Sequence, residues 1–193
     1  TRRDPGPRGQ QMSVAVVVVA AGRGHRLGSE IPKQYIPLGE KTSFRRVIET
    51  FLSYDDVRWI VPVIHPDDHS SYNDALAGLD DARLLDGVEG SDTRARSVRN
   101  GLERLAARAP DHVLIHDAAR PFLTVDVIDR VMAALKTEEG ACAALPVVDA
   151  LWRSDDNRAD TAVSREGLWR AQTPQGFAFS KILAAHRAHD GMG

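Results

Sequence analysis

The sequence predicts an α/β domain built on a mainly parallel sheet. Three observations carry that expectation. Val14–Ala20 is an unbroken apolar run rich in valine, the composition of a strand buried on both faces of a parallel sheet. Strand-like and helix-like segments then alternate along the chain. The length of 193 residues, 42% of them hydrophobic, suits one compact domain with a real core.

The elements follow in order. A glycine-rich turn ends the first strand. Thr42–Leu52 spaces Phe44, Val47, Ile48, Phe51 and Leu52 along one helical face. Trp59–Ile64 reads as a second strand, broken by His65-Pro66-Asp67-Asp68, which is expected to cap a helix around Ser71–Ala77. Arg83–Leu85 is a short strand candidate. Thr93–Ala107 predicts a helix with Val98, Leu102 and Leu105 on one side. His112–Ile115 predicts a strand ending at His116-Asp117, Val125–Leu135 a helix, and Ala141–Val147 a strand in which Cys142 is expected in the core.

The segment Val148–Gln175 breaks the alternation. Polar turn residues at Ser154–Asp160 lie between Leu151-Trp152 and Leu168-Trp169, which reads as an extended, protruding β-hairpin arm. Two exposed tryptophan-bearing strands call for a covering partner subunit. Residues 1–12 read as a flexible tail or a cloning remnant, with Met12 a candidate native start, and residues 13–193 as one domain.

Charged residues make up 27% of the chain and the formal net charge is -2. That balance argues against a nucleic-acid or membrane-surface binder, which usually carries a basic face. A single cysteine forbids an internal disulfide and fits a cytoplasmic protein. No apolar stretch approaches the ~18 residues that span a membrane. Val14–Ala21 is also a poor secretory signal, because turn glycines follow it at once.

The chemistry concentrates in a few blocks. Ala20-Ala21-Gly22-Arg23-Gly24-His25-Arg26 follows the first strand, where open α/β sheets bind ligands. Gly22 and Gly24 allow close backbone approach and present N–H groups to an anion. Arg26 and Lys33 add positive charge, as phosphoryl transfer requires. Leu27 spoils a G-x-G-x-x-G pattern, and no G-x-x-x-x-G-K-[ST] occurs. Ser91 and Asp92 either cap the following helix or meet the edge of a base. Asp117, after a strand, is either a Mg²⁺ ligand or a partner of Arg120. Arg165 is either a phosphate clamp or a solvated side chain.

Together, Ala20-Ala21-Gly22-x-Gly24-x-Arg26, Pro32-Lys33-Gln34-Tyr35, Asp92-x-Arg94-x-x-Ser97, His116-Asp117-Ala118-Ala119-Arg120-Pro121 and Thr173-Pro174-Gln175 resemble the 2-C-methyl-D-erythritol 4-phosphate cytidylyltransferase family. The resemblance runs from Val14 to Ala188. It implies a Rossmann-like nucleotidyltransferase fold and a homodimer joined by exchanged arms. It also implies Mg²⁺-dependent transfer of CMP from CTP to a polyol phosphate in isoprenoid precursor synthesis. By the same resemblance, Ala20, Ala21, Gly22, Gly24, Ser91, Asp92 and Ser97 hold the cytidine part, while Arg26 and Lys33 stabilise the α-phosphate. Asp117 lies beside metal and substrate, Ala118 and Arg120 near ribose or acceptor. Arg165 and Thr173, from the partner, grip the acceptor's phosphate.

The chain departs from that pattern in three places. Val19 stands where many relatives have proline, and Ala150 where the family often has a threonine at the acceptor phosphate. Relatives also continue into an Asn-x-Lys-x-Thr segment, so a shortened C-terminus is expected, including a cut through a protein fused to a cyclodiphosphate synthase. Ribitol-5-phosphate cytidylyltransferases, which tend to read His-Asp-Ser-Val-Arg at the third block, are the related alternative. A dinucleotide-binding oxidoreductase and an inactive nucleotide-binding module are the others.

Overall fold

The structure, a computed structural model, describes residues 12–23 and 31–189. Along the chain the elements are β1 (Val14–Ala20), β2 (Pro37–Leu38), β3 (Lys41–Thr42), α1 (Ser43–Leu52), β4 (Val57–Ile64) and α2 (His69–Leu76). Then come β5 (Val88–Glu89), α3 (Arg94–Leu105), β6 (His112–Asp117), α4 (Val125–Ala134) and β7 (Gly140–Pro146). Last are β8 (Leu151–Asp155), β9 (Arg158–Val163), β10 (Trp169–Ala178) and α5 (Phe179–Ala188). Short 3₁₀ turns occupy Lys33–Tyr35 and Pro66–Asp68.

One sheet, in the order β5-β4-β1-β6-β10-β7, forms the middle layer. Because side chains alternate along a strand, β1 feeds two cores. Val14, Val16, Val18 and Ala20 pack with Phe44, Val47, Ile48 and Phe51 of α1 and with Ile128, Val131 and Met132 of α4. Ala15 and Val17 face the other way, toward Val98, Leu102 and Leu105 of α3 and Phe179 and Leu183 of α5. That two-sided burial is why β1 is apolar throughout. Helix α3 lies so close to β1 that a Cβ on Gly101 would come within 2.6 Å of Val17 Cγ1.

Strands β4, β1 and β6 run parallel, pairing Ala20 with Ile64 and Val19 with Asp117. The segments leaving all three therefore emerge at one edge, which positions the candidate site. The helices are capped locally: Thr42 accepts from the Arg45 N–H at 3.1 Å, and Thr93 from the Arg96 N–H at 3.2 Å. Thr93, rather than Ser91 or Asp92, is thus the α3 cap.

Four expectations change. Leu84 makes one isolated bridge to Ile60, so Arg83–Leu85 is no strand, and the sheet edge is instead β5. The free hairpin is β8–β9, closed by Asp156 and Asn157 at φ 47 and 60. Two positive φ values at the turn match the right-handed strand twist, and Asp and Asn tolerate them. Trp169–Ala178 is not the second arm strand. As β10 it lies antiparallel between β6 and β7, where Gly176 fits against Leu135 and Leu114 without a Cβ. Cys142 is exposed, because β7 is an edge strand. Helix α5, absent from the sequence reading, seals the second core with Phe179 and Leu183. Among the described residues no helix is long and apolar enough to cross a membrane.

Candidate active site

A cleft of about 590 Å³ opens at the carboxyl edge of the sheet. Four stretches meet in it: Ala20–Arg23, Lys33-Gln34, Ser91–Arg94 with Ser97, and Asp117 with Ala119 and Arg120.

The first two stretches are tied together. The buried Gln34 amide donates to the Ala20 carbonyl at 2.6 Å and to the Gly22 carbonyl at 3.3 Å. The 3₁₀ turn that buries Gln34 and Tyr35 leaves the preceding Lys33 exposed on the cleft wall. Gly90 closes the other side. A Cβ there would stand 2.3 Å from the Ala21 Cβ, so only glycine lets the loop after β5 approach the turn after β1.

Ser97 shapes the third stretch. Its buried hydroxyl accepts from the Ser91 N–H at 2.9 Å and donates to the Thr93 carbonyl at 2.9 Å. Asp92 accepts from the Ser91 hydroxyl at 2.8 Å and from Arg96 at 2.7 Å. Those bonds hold its carboxyl below the usual range.

Asp117 is gripped by two arginines. Its Oδ1 accepts from Arg94 at 3.0 and 3.1 Å, and its Oδ2 from Arg120 Nε at 3.2 Å. Arg120 also donates to Gln172 of β10. Beneath them lies His116, 1% exposed, whose pKa burial pushes down to about 4. The imidazole is therefore neutral at pH 7. Its Nε2–H donates to the Arg120 carbonyl at 3.1 Å, leaving Nδ1 to accept from the Thr173 hydroxyl at 3.0 Å.

The cleft thus brings together Ala20, Ala21, Gly22, Lys33, Ser91, Asp92, Ser97, Asp117 and Arg120 from the predicted set. Gly24 and Arg26 lie outside the described residues. Ala118 faces the core: its carbonyl accepts from Ser43 at 2.6 Å and its N–H donates to Val19 at 2.9 Å. Thr173 lines a neighbouring cavity of about 870 Å³, which shares Ala119 and Arg120 with the cleft. Arg165 lines neither cavity and donates to the Val148 carbonyl at the base of the arm. The sequence reading gave no role to Arg23, Gln34, Arg94 or His116. All four sit inside blocks already quoted, Arg23 at a position that the family pattern leaves open.

The description "IspD: 2-C-methyl-D-erythritol 4-phosphate cytidylyltransferase" belongs to the family model that matches residues 14–193. This chain belongs to that family. It is 51% identical over 178 residues to the bifunctional enzyme IspD/IspF of Rhodospirillum rubrum, covering 92% of this chain and 46% of that protein. It is 46% identical over 180 residues to the 2-C-methyl-D-erythritol 4-phosphate cytidylyltransferase of Cereibacter sphaeroides, covering 93% of this chain and 79% of that one. The crystal structure of 4-diphosphocytidyl-2C-methyl-D-erythritol synthase from Anaerococcus prevotii matches with TM-score 0.78 and 26% identity, over 95% of this chain and 78% of that one. The chain therefore spans about half the length of its bifunctional relatives. The nucleotidyltransferase reading of the fold stands.

Proposed function

We propose that this chain transfers CMP from CTP to 2-C-methyl-D-erythritol 4-phosphate, releasing pyrophosphate and giving 4-diphosphocytidyl-2-C-methyl-D-erythritol. The observation that carries the reading is the convergence of Gly22, Lys33, Ser91, Asp92, Asp117 and Arg120 on one cleft. The names of the relatives support the choice of substrates.

The chemistry needs little covalent help. An oxygen of the acceptor's phosphate attacks the α-phosphorus of CTP, and the bond from that phosphorus to the β-phosphate oxygen breaks. The acceptor phosphate is ionised at neutral pH, so no general base is required. The protein's work is positioning and charge neutralisation. The loop pinned by Ser97 offers donors and acceptors to the base. Lys33 places an ammonium where charge builds on the α-phosphate.

Among the described residues no group of three or more His, Cys, Asp or Glu forms a metal cage. Mg²⁺ fits in another way, because it commonly binds one or two carboxylates plus substrate phosphates. Asp117 would be that carboxylate, in exchange for part of its contact with Arg94 and Arg120. Bound there, the ion would offset charge on the triphosphate.

The exposed Trp152 and Trp169 and the isolated β8–β9 hairpin support a homodimer in which each arm lies on the partner. In that assembly Arg165 and Thr173 would serve the partner's acceptor phosphate. A cytoplasmic setting agrees with an exposed free thiol.

The test is pyrophosphate release with CTP–Mg²⁺ and methylerythritol phosphate, against ribitol phosphate and against ATP. Release with the first pair alone supports the reading. Preference for ribitol phosphate moves the chain to the related alternative, and CTP binding without release leaves an inactive nucleotide-binding module.

A further inference from the structure

Arg23 occupies the open position between Gly22 and Gly24. Its guanidinium reaches the 3₁₀ turn that follows β4. Nη1 donates to Asp68 Oδ1 at 3.2 Å, Nη2 donates to His65 Nδ1 at 2.6 Å, and Nη2 also pairs with Asp67 Oδ2. His65 Nδ1 additionally accepts from the Asp67 N–H at 3.2 Å, so both donors fix it as the acceptor nitrogen.

Asp68 is the informative member. It is 4% exposed, and Arg23 is the ion pair the structure gives it. A buried carboxylate is costly without a counter-charge. The turn carrying Arg23 has the opposite need. Glycine restrains its own backbone weakly, and Gln34 holds the described part of the turn through the Ala20 and Gly22 carbonyls. The Arg23–Asp68 pair adds a second hold, from the 3₁₀ turn that follows the neighbouring parallel strand.

We propose that Asp68 is a positioning residue for the cleft: it fixes Arg23, and Arg23 fixes the backbone of residues 20–23 in the position that receives the triphosphate. Arg23 is then a tie and not a phosphate ligand, although it lies in the nucleotide-binding turn. The inference rests on the CTP reading for its ligand, but the tie itself is a property of the fold.

The experiment uses this chain with Arg23→Gln, Asp68→Asn, both together, and Arg23→Lys. Each of Arg23→Gln and Asp68→Asn should weaken CTP–Mg²⁺ by ~10-fold in Kd and KM, with kcat nearly unchanged, and the double variant should be no worse than either single. Arg23→Lys should recover part of the loss. Additive losses, or a fall in kcat with unchanged affinity, would overturn the proposal. So would wild-type affinity in Asp68→Asn. Hydrogen exchange at residues 20–23 gives a readout independent of activity. Faster exchange there in both single variants, with β4 unchanged, is expected, and unchanged exchange refutes the tie. If the wild type releases no pyrophosphate, the functional reading fails while the exchange data still decide the tie. His65→Gln, at a partly exposed partner, carries the same expectation should Asp68→Asn fail to fold.

Discussion

The hydroxyl of Thr173 lies 3.0 Å from His116 Nδ1, joining two strands from residues 57 positions apart. The Asp117 N–H points at the same hydroxyl at 3.4 Å. A neutral imidazole therefore holds the start of the His116–Arg120 loop against β10.

That relationship predicts a pH dependence. Burial pushes the folded pKa of His116 down to about 4, from the ordinary imidazole value of 6.5. The unfolded chain consequently binds a proton that the folded chain refuses between these values. Stability from this group is fully present above pH 6.5 and is lost as pH falls toward 4, by up to ~3 kcal/mol at 1.36 kcal/mol per unit. Urea midpoints taken from pH 7 to 4.5 should fall more steeply in wild type than in His116→Gln. Equal slopes would show that His116 is not the source.

Two glycines should respond oppositely to the same change. Gly90→Ala drives a Cβ to 2.3 Å from that of Ala21 and should cost about 1–3 kcal/mol of stability, as overpacking does. A Cβ on Gly22 meets nothing within 4 Å, so Gly22→Ala should change stability by less than ~0.5 kcal/mol. Its cost should appear instead in CTP affinity. Thermal melts beside titration calorimetry separate the two. A strongly destabilised Gly22→Ala would contradict the ligand-approach role.

Lys33 stands exposed on the cleft wall. Lys33→Ala should lower turnover at least ~100-fold while leaving the melting temperature nearly unchanged, the scale of removing one preorganised donor. Near-normal pyrophosphate release would remove Lys33 from the mechanism.

Trp152 is 59% exposed on the isolated hairpin. If the arms bind a second copy, Trp152→Glu should shift the protein from dimer to monomer by light scattering, with little change in the monomer's own stability. A wild type that is monomeric at assay concentration would end the exchanged-arm proposal.

Much of the fold was legible in order. β1 matched residue for residue, and α1 and α3 were found from their periodic faces. The reading failed where long-range pairing decides. Residues 169–178 look locally like an arm strand. They join the main sheet because glycine at 176 fits against Leu114, Leu135 and Val131. Cys142 looked like core because its neighbours are small and apolar, a pattern that does not reveal that β7 is an edge.

The sequence by itself determined the alternation of elements, the glycine turn with its nearby lysine, and the motif set that marks the family. Those are local properties, set by neighbours two to four residues apart. The tertiary structure alone decided that Arg23 is held by Asp68, 45 positions on, that Arg94 reaches Asp117, and that Thr173 rests on His116. Such pairs depend on which strands lie side by side and which face each side chain takes. No local pattern carries that information.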